Sequence, residues 1–354
     1  MPDVTVAIPV RDGGAVLAGV LEALSTQTVG HELLVCDSHS TDGSPELARA
    51  RGARVLEIAP ARFSHGGTRN LLMNEAGGAH VALLTQDAEP ADDRWLERLL
   101  GGFELAPDVG LVCGPYLPRP DAPPAVRLEL ERWFASLAPD GAPRVDRLTE
   151  HERASLPTRA LIGPRGFFTD ANACIARAAW LRAPYREVPY AEDRVLAIDM
   201  LRAGFARAYV PDAGVLHSHA YTPTEELRRC FDEWRGLREV YGWREPASPL
   251  HLARRLRGEL GWARRELDRA GAPGAERRAT LGAVTRHHVV RLAGALLGSR
   301  AERLPAGARR RLSLEGRASF EPLDLDADRR STGTRVADTA RAPDDDDLPP
   351  PPTR

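Results

Sequence analysis

Chemistry in this chain is concentrated at a few carboxylates that end apolar runs, at one glycine-rich loop and at a histidine pair. The run His80-Val81-Ala82-Leu83-Leu84-Thr85-Gln86-Asp87 delivers Asp87 from a strand that is apolar on both sides, an oxygen ligand that a hard cation could use. An aspartate in this place is more often a turn residue or a helix cap, so its meaning depends on what else reaches the same edge. The next candidate is Leu34-Val35-Cys36-Asp37-Ser38-His39-Ser40-Thr41-Asp42-Gly43, where Asp37 ends a strand and could accept a hydrogen bond from a nucleobase imide or a ribose hydroxyl. Asp42 in the same stretch reads as a turn and cap residue. In Phe63-Ser64-His65-Gly66-Gly67-Thr68-Arg69-Asn70 the glycines permit close backbone approach, and Arg69, expected in a first helical turn, could reach a diphosphate. His217 and His219 alternate on an extended segment and share one side, as metal ligands or diphosphate donors. Asp170 and Asn172, on the segment before a helix, are further polar candidates for a ligand pocket, whereas Trp180 reads as core. Neither a GxGxxG fingerprint nor a P-loop occurs.

These side chains need a scaffold that collects strand ends at one edge. From residue 4 to about 113, apolar strands alternate with helical patterns, with strands expected over 4–10, 32–36, 53–58, 80–85 and 109–113 and helices over 16–24, 45–51, 68–75 and 93–103. That order predicts right-handed crossovers and a mostly parallel sheet, the α/β class. The alternation stops after Gly114. A proline-rich stretch leads to a helix over 126–137, a strand over 166–175 and a helix over 190–203 opened by Glu192 and Asp193. The division expected is 1–221 for the α/β domain, with 1–114 as its nucleotide half and 115–221 as its acceptor half. A helical region would follow over 222–330, and a disordered tail over 331–354. Leu252, Leu256, Leu260 and Trp262 lie among Arg254, Arg255, Arg257, Arg264 and Arg265. That pattern is either a solvated helical face or a peripheral docking surface for anionic lipid.

Composition removes several classes. A chain of 354 residues can bury a large core, and a net charge of −2 argues against a nucleic-acid binder. Every basic side chain is arginine, which reflects genomic composition more than function. Cys36, Cys113, Cys174 and Cys230 lack paired metal spacing and read as buried thiols of a reducing compartment. Met1-Pro2-Asp3 passes directly into Val4-Thr5-Val6, without the pattern of a signal peptide, and Val289 to Leu297 is too short to span a bilayer. The expected location is therefore cytoplasmic, with peripheral membrane contact through the basic helices.

Val6-Ala7-Ile8-Pro9-Val10-Arg11, the Cys36 to Gly43 stretch, Gly67-Thr68-Arg69-Asn70 and Thr85-Gln86-Asp87 resemble, in order and spacing, family 2 glycosyltransferases of the GT-A fold, especially their rhamnosyltransferase branch. The resemblance covers about residues 3 to 242 and implies an inverting sugar transfer from a nucleotide diphosphate donor. L-rhamnose from dTDP-rhamnose is the expected donor, and a cell-surface glycan or glycolipid the acceptor. It places Pro9, Arg11, Asp37, Arg69 and Gln86 around the nucleotide and makes Asp87 the last residue of a DxD metal motif for Mg²⁺ or Mn²⁺. Thr85 departs from that motif by replacing its first acid, leaving Glu89 as a weak supplement. One of His217 and His219, His217 by slight preference, would complete the metal site, and Asp170, Asn172 and His219 are candidate sugar or acceptor contacts. Tyr190-Ala191-Glu192-Asp193-Arg194 resembles the family's ED motif. Its Asp193 would remove the acceptor hydroxyl proton as the oxygen attacks the anomeric carbon, and Glu192 would lie beside the acceptor. Rival readings are a UDP-hexose or GDP-mannose donor on the same framework, a nucleotide-sugar scaffold without catalysis, and a nucleotidyltransferase, for which Arg11-Asp12-Gly13-Gly14 is a poor loop.

Overall fold

A computed structural model describes residues 3–161, 163–188, 190–314 and 316. The expected tail over 331–354 and the end of the expected helical region lie outside the described residues. The strands are β1 (Val4–Val10), β2 (Glu32–Asp37), β3 (Arg54–Glu57), β4 (His80–Leu84), β5 (Glu89–Pro90), β6 (Val109–Cys113), β7 (Tyr116–Leu117), β8 (Arg144–Asp146), β9 (Asn172–Ala176), β10 (Ala206–Tyr209) and β11 (Val215–Leu216). The helices are α1 (Gly14–Ser25), α2 (Ser44–Ala50), α3 (His65–Glu75), α4 (Trp95–Gly101), α5 (Pro124–Leu137), α6 (Glu150–Ser155), α7 (Arg177–Arg182), α8 (Glu192–Arg202), α9 (Pro223–Tyr241), α10 (Pro249–Arg269), α11 (Gly274–Gly298) and α12 (Ala306–Leu312).

Eight strands form the main sheet in the order β3-β2-β1-β4-β9-β6-β10-β8. Pairing is parallel for β1 with β2 and β4, β2 with β3, and β6 with β10, while β9 and β8 run against their neighbours. The mostly parallel sheet of the sequence reading is therefore present. Alternation within β1 shows why it is buried on both sides: Val4, Val6, Ile8 and Val10 meet Leu17, Leu21 and Leu24 of α1, whereas Ala7 faces the layer of Leu72, Met73 and Trp180.

Residues 115–221 contribute strands to the same sheet as residues 1–114. β9 enters the sheet centre between β4 and β6, and because it is antiparallel its first residue, Asn172, stands opposite Leu84 at the carboxyl end of β4. The strand expected over 166–175 shrinks to β9 for this reason, and the residues before it become an irregular approach to the ligand-bearing edge. Helices that lead into strands run back across the sheet, so the N-termini of α3 and α8 also lie at that edge.

In the helical region, α9 reaches the α/β domain through Val240 and Tyr241, which pack with Val195, Ile198 and Leu201 of α8. Gly294 and Gly298 of α11 let it close on α9: a Cβ at Gly298 would stand 2.3 Å from the Phe231 carbonyl oxygen. The apolar stripe of α10 is also consumed internally, since Leu260 and Ala263 pack with Ala125 and Leu128 of α5 and with Leu281 and Val284 of α11. The lipid-docking expectation thus loses part of its apolar face. No helix among the described residues is long and apolar enough to cross a membrane. All four cysteines are free and buried, as expected.

Candidate active site

A second, three-stranded sheet, β5-β11-β7, is made of two-residue strands and gathers three distant segments beside the end of β4. Val215 pairs with both Pro90 and Tyr116, which brings the chain after β11 against the chain after β4. His217 Nδ1 then lies 3.5 Å from Asp87 Oδ1, and His219 Nε2 lies 3.5 Å from Asp87 Oδ2. The three donor atoms fall within 4.8 Å of one another. Tyr116 meets the His217 ring edge-on at 4.7 Å, while Tyr221 stacks on His219 at 5.0 Å. Both histidines therefore converge on Asp87, so the choice the sequence leaves open between them is not made by distance.

The protonation states suit a metal. Burial raises the Asp87 pKa, but His217, the Thr85 hydroxyl and His219 outweigh burial and hold it below the ordinary value. Burial depresses the His217 pKa against the pull of Asp87, so its ring is neutral with a lone pair to offer. Nδ1 of His217 is buried with no hydrogen-bond partner, which a bound cation would satisfy. One carboxylate and two imidazoles suit a first-row transition ion better than Mg²⁺, which prefers oxygen ligands.

Next to this corner, the loops after β1 and β2 are laced together. Asp12 Oδ1 accepts from the Thr41 amide at 2.8 Å, Ser40 Oγ accepts from the Asp12 amide at 2.8 Å, and Asp42 Oδ2 accepts from the Gly14 amide at 2.8 Å. Asp37 ends β2 as expected, but it is 2 % exposed and accepts from the Ser40 amide at 2.9 Å. Each of its oxygens has a second lone pair for a ligand. Pro9 lies half-buried in β1, and Arg11 is exposed just beyond it. Gln86 differs from expectation: its amide brackets the Arg11 backbone, accepting from N at 2.8 Å and donating to O at 3.1 Å, so it ties the β4 loop to the β1 loop.

Asp193 lies in the first turn of α8. Ala191, which opens the helix, has a left-handed backbone (φ 63°), and the other non-glycine residues of this kind among those described, Asp12 (φ 47°) and His39 (φ 64°), lie in the laced loops. Such strain gathers where surrounding structure holds a site in place. Burial and the neighbouring Glu192 carboxylate push the Asp193 pKa up to about 6, opposed by Arg194 and Arg69. The residue is half-buried.

Several of the expected ligand contacts already have protein partners. Arg69 sits in the second turn of α3, because Ser64 caps the helix by accepting from the Gly67 amide at 3.1 Å. Its guanidinium meets Asp170 Oδ2 at 2.8 Å and Glu192 Oε1 at 3.0 Å and is buried with both. Gly66 and Gly67 serve packing, since a Cβ at Gly66 would stand 2.3 Å from the Arg186 carbonyl oxygen. Asn172 is fully buried and lines no pocket: it donates to Ala213 O at 2.7 Å and Pro115 O at 3.0 Å and accepts from Trp95 Nε1 at 2.9 Å. Asp170 is 3 % exposed and accepts from the Tyr185 hydroxyl at 2.5 Å.

The sequence reading missed Arg119, Tyr116 and Tyr185. Arg119 donates to the Asp87 carbonyl at 2.8 Å and reaches Glu89 at 3.4 Å, placing a guanidinium at the metal corner. Its only signal was a lone arginine in a proline-rich loop. A second carboxylate–histidine group, Glu129 with His287 and His288, lies between α5 and α11. There Arg291 Nε already neutralises Glu129 at 3.0 Å, and His287 Nε2 meets its other oxygen at 2.7 Å, so the group is a closed interhelical network.

A family model described as glycosyl transferase family 2 matches residues 5–154. The chain is 32% identical over 239 residues to the O-antigen chain rhamnosyltransferase RfbN of Salmonella typhimurium, covering 65% of this chain and 70% of the relative. It is 31% identical over 238 residues to the O-antigen chain rhamnosyltransferase WbaN of Salmonella anatum, covering 66% and 71%. Among solved structures, the mannosyltransferase PcManGT from Pyrobaculum calidifontis, in complex with GDP-Man and Mn²⁺, aligns with a TM-score of 0.54 at 19% identity, covering 84% of this chain and 87% of that one. At that identity the likeness concerns the fold.

Proposed function

Because the chain belongs to the family 2 glycosyltransferases, we propose that this glycosyltransferase moves L-rhamnose with inversion from dTDP-rhamnose to a hydroxyl of a growing cell-surface glycan or glycolipid. The observation that carries the reading is a neutral-imidazole and carboxylate corner after β4 together with a carboxyl of raised pKa at the head of α8. Tyr116 joins them, since its ring touches His217 and the Asp193 charge helps to raise its own pKa. The rhamnosyl donor is supported by the names of the relatives, which act on O-antigen chains.

In this reading the loops after β1 and β2, with Pro9, Arg11 and Asp37, hold the nucleoside. Arg11 and Arg119 offer forked donors to the diphosphate. Asp87, His217 and His219 would hold a divalent ion, Mn²⁺ more readily than Mg²⁺, whose charge stabilises the departing diphosphate. Asp193 takes the acceptor proton while the acceptor oxygen bonds to the anomeric carbon. The bond from that carbon to the phosphate oxygen breaks, and its electron pair leaves with the nucleotide. A carboxylate with a pKa of about 6 is ionised at neutral pH yet basic enough to accept the proton.

Thermal-shift measurements with dTDP-rhamnose, UDP-glucose and GDP-mannose, each with and without Mn²⁺, test the donor. Stabilisation by dTDP-rhamnose with Mn²⁺ above the others is expected. A larger shift with a UDP or GDP sugar would reassign the donor, and no shift with any would favour a scaffold without catalysis.

A further inference from the structure

Arg69 is a deeply buried charge, and its surroundings are difficult to reconcile with a phosphate contact. Its Nε faces Asp170 and its Nη1 faces Glu192 and donates to the His65 carbonyl of its own helix at 3.0 Å, with only 6 % of the residue exposed. A diphosphate would have to displace two buried carboxylates that would be left unpaired, at severe cost. The helix carrying Arg69 is also locked in register. Asn70 donates to Tyr185 O at 2.8 Å and accepts from Trp180 Nε1 at 2.9 Å, while Gly66 allows α3 to abut the chain at Arg186. Tyr185 returns to the same network through its hydroxyl on Asp170.

We infer that Arg69 is a positioning residue for the Asp193 base: it holds Asp170 and Glu192, leaving Asp193 alone to face the acceptor as proton acceptor. The inference rests on the reading of Asp193 as the base. The groups that face Asp193 are Glu192 and Arg194 of α8, Arg69 of α3, Asp170 before β9, Tyr116 of β7 and Tyr241 of α9. Both tyrosines are pushed upward by burial and stay neutral through the working range. Arg69 and Arg194 are thus the cations set against three carboxylates. Removing Arg69 strengthens the repulsion on Asp193, and its carboxyl retains a proton to higher pH.

The test is the pH profile of kcat for Arg69→Met, Arg69→Lys and Glu192→Gln, using whichever of the three nucleotide sugars supports turnover, together with the Kd of the matching nucleoside diphosphate. Arg69→Met should move the acid limb up by about one pH unit or more, with Kd changed less than about twofold. Arg69→Lys should restore most of the limb, and Glu192→Gln should move it down. If Arg69→Met does not fold, the downward shift in Glu192→Gln and the near-normal limb of Arg69→Lys carry the test. Weakening of Kd by about tenfold or more with an unmoved limb would make Arg69 a phosphate ligand and overturn the inference. An Asp193→Asn enzyme that turns over like wild type would instead remove the base reading itself, and this inference with it.

Discussion

Asp87 and Asp193 are the same residue type at two corners of the candidate site, and the protein drives them in opposite directions. Burial penalises the ionised form of both. At Asp87, two imidazoles and a hydroxyl reverse that penalty; at Asp193, Glu192 adds to it. The first carboxylate is thereby held ionised, and the second keeps its proton to higher pH, as the proposed role of proton acceptor requires. Neighbours set these roles, and a pair of like groups with separated pKa values marks a division of labour between electrostatic stabilisation and proton transfer. The contrast with Glu129 makes the same point from another side. That residue too meets two histidines, but Arg291 takes its charge, and its pKa of about 2 reflects an ion pair that overcomes burial.

The largest effect expected from disturbing this division is at Asp193. Asp193→Asn should lower kcat by about two to four orders of magnitude while leaving nucleoside diphosphate binding close to normal. Quenched-flow or steady-state transfer assays beside calorimetric binding separate the two. A smaller but still severe loss is expected at the other corner, where Asp87→Ala should abolish the response to Mn²⁺, and chelation of the wild-type enzyme should match it. Chelator-resistant activity in Asp87→Ala would break the comparison by removing the metal corner from the reaction. Within that corner, His217→Ala should cost more than His219→Ala, because His217 is the more deeply buried ligand, at 13% against 41% side-chain exposure.

The smallest effect sharpens the comparison without measuring activity. The folded Asp193 carboxyl has a raised pKa, so the folded state binds a proton that the unfolded chain has released between the ordinary carboxyl value and about pH 6. Stability from this group is present below the unfolded pKa and is lost as pH rises through the folded one. Asp193→Asn should therefore be more stable than wild type at pH 7 by roughly 1 kcal/mol or more, with the gain shrinking toward pH 4. Urea unfolding at both pH values measures it, and an equal gain at both would show that proton binding is not its source.

Much of this arrangement was legible before any coordinates. Strand-helix alternation over residues 4–113 gave the parallel layers because β-strand burial on two faces leaves near-continuous apolar runs. Asp37, Asp87 and Asp193 were recognisable because each ends or begins an element at a sheet edge. Arg69, Gln86, Asp170 and Asn172 read from the sequence as ligand contacts, yet each is also engaged by a partner at least 15 residues away along the chain: Asp170 by Tyr185, Gln86 by Arg11, Arg69 by Asp170 and Asn172 by Trp95. A helix start misplaced from His65 to Thr68 was enough to turn a buried cation into an expected phosphate ligand.

What the sequence determined by itself was the element order, the class of layer and the carboxylates presented at strand ends, since these follow from local periodicity and capping. The tertiary structure decided their use. Three two-residue strands, too short to read from any pattern, bring the chain near Glu89, Tyr116 and Val215 together and so carry both histidines to Asp87. An antiparallel strand inserted at the sheet centre, β9, brings Asp170 behind Asp193. Proton affinity depends on charges within a few ångströms of a side chain, and those distances exist only once remote segments have packed.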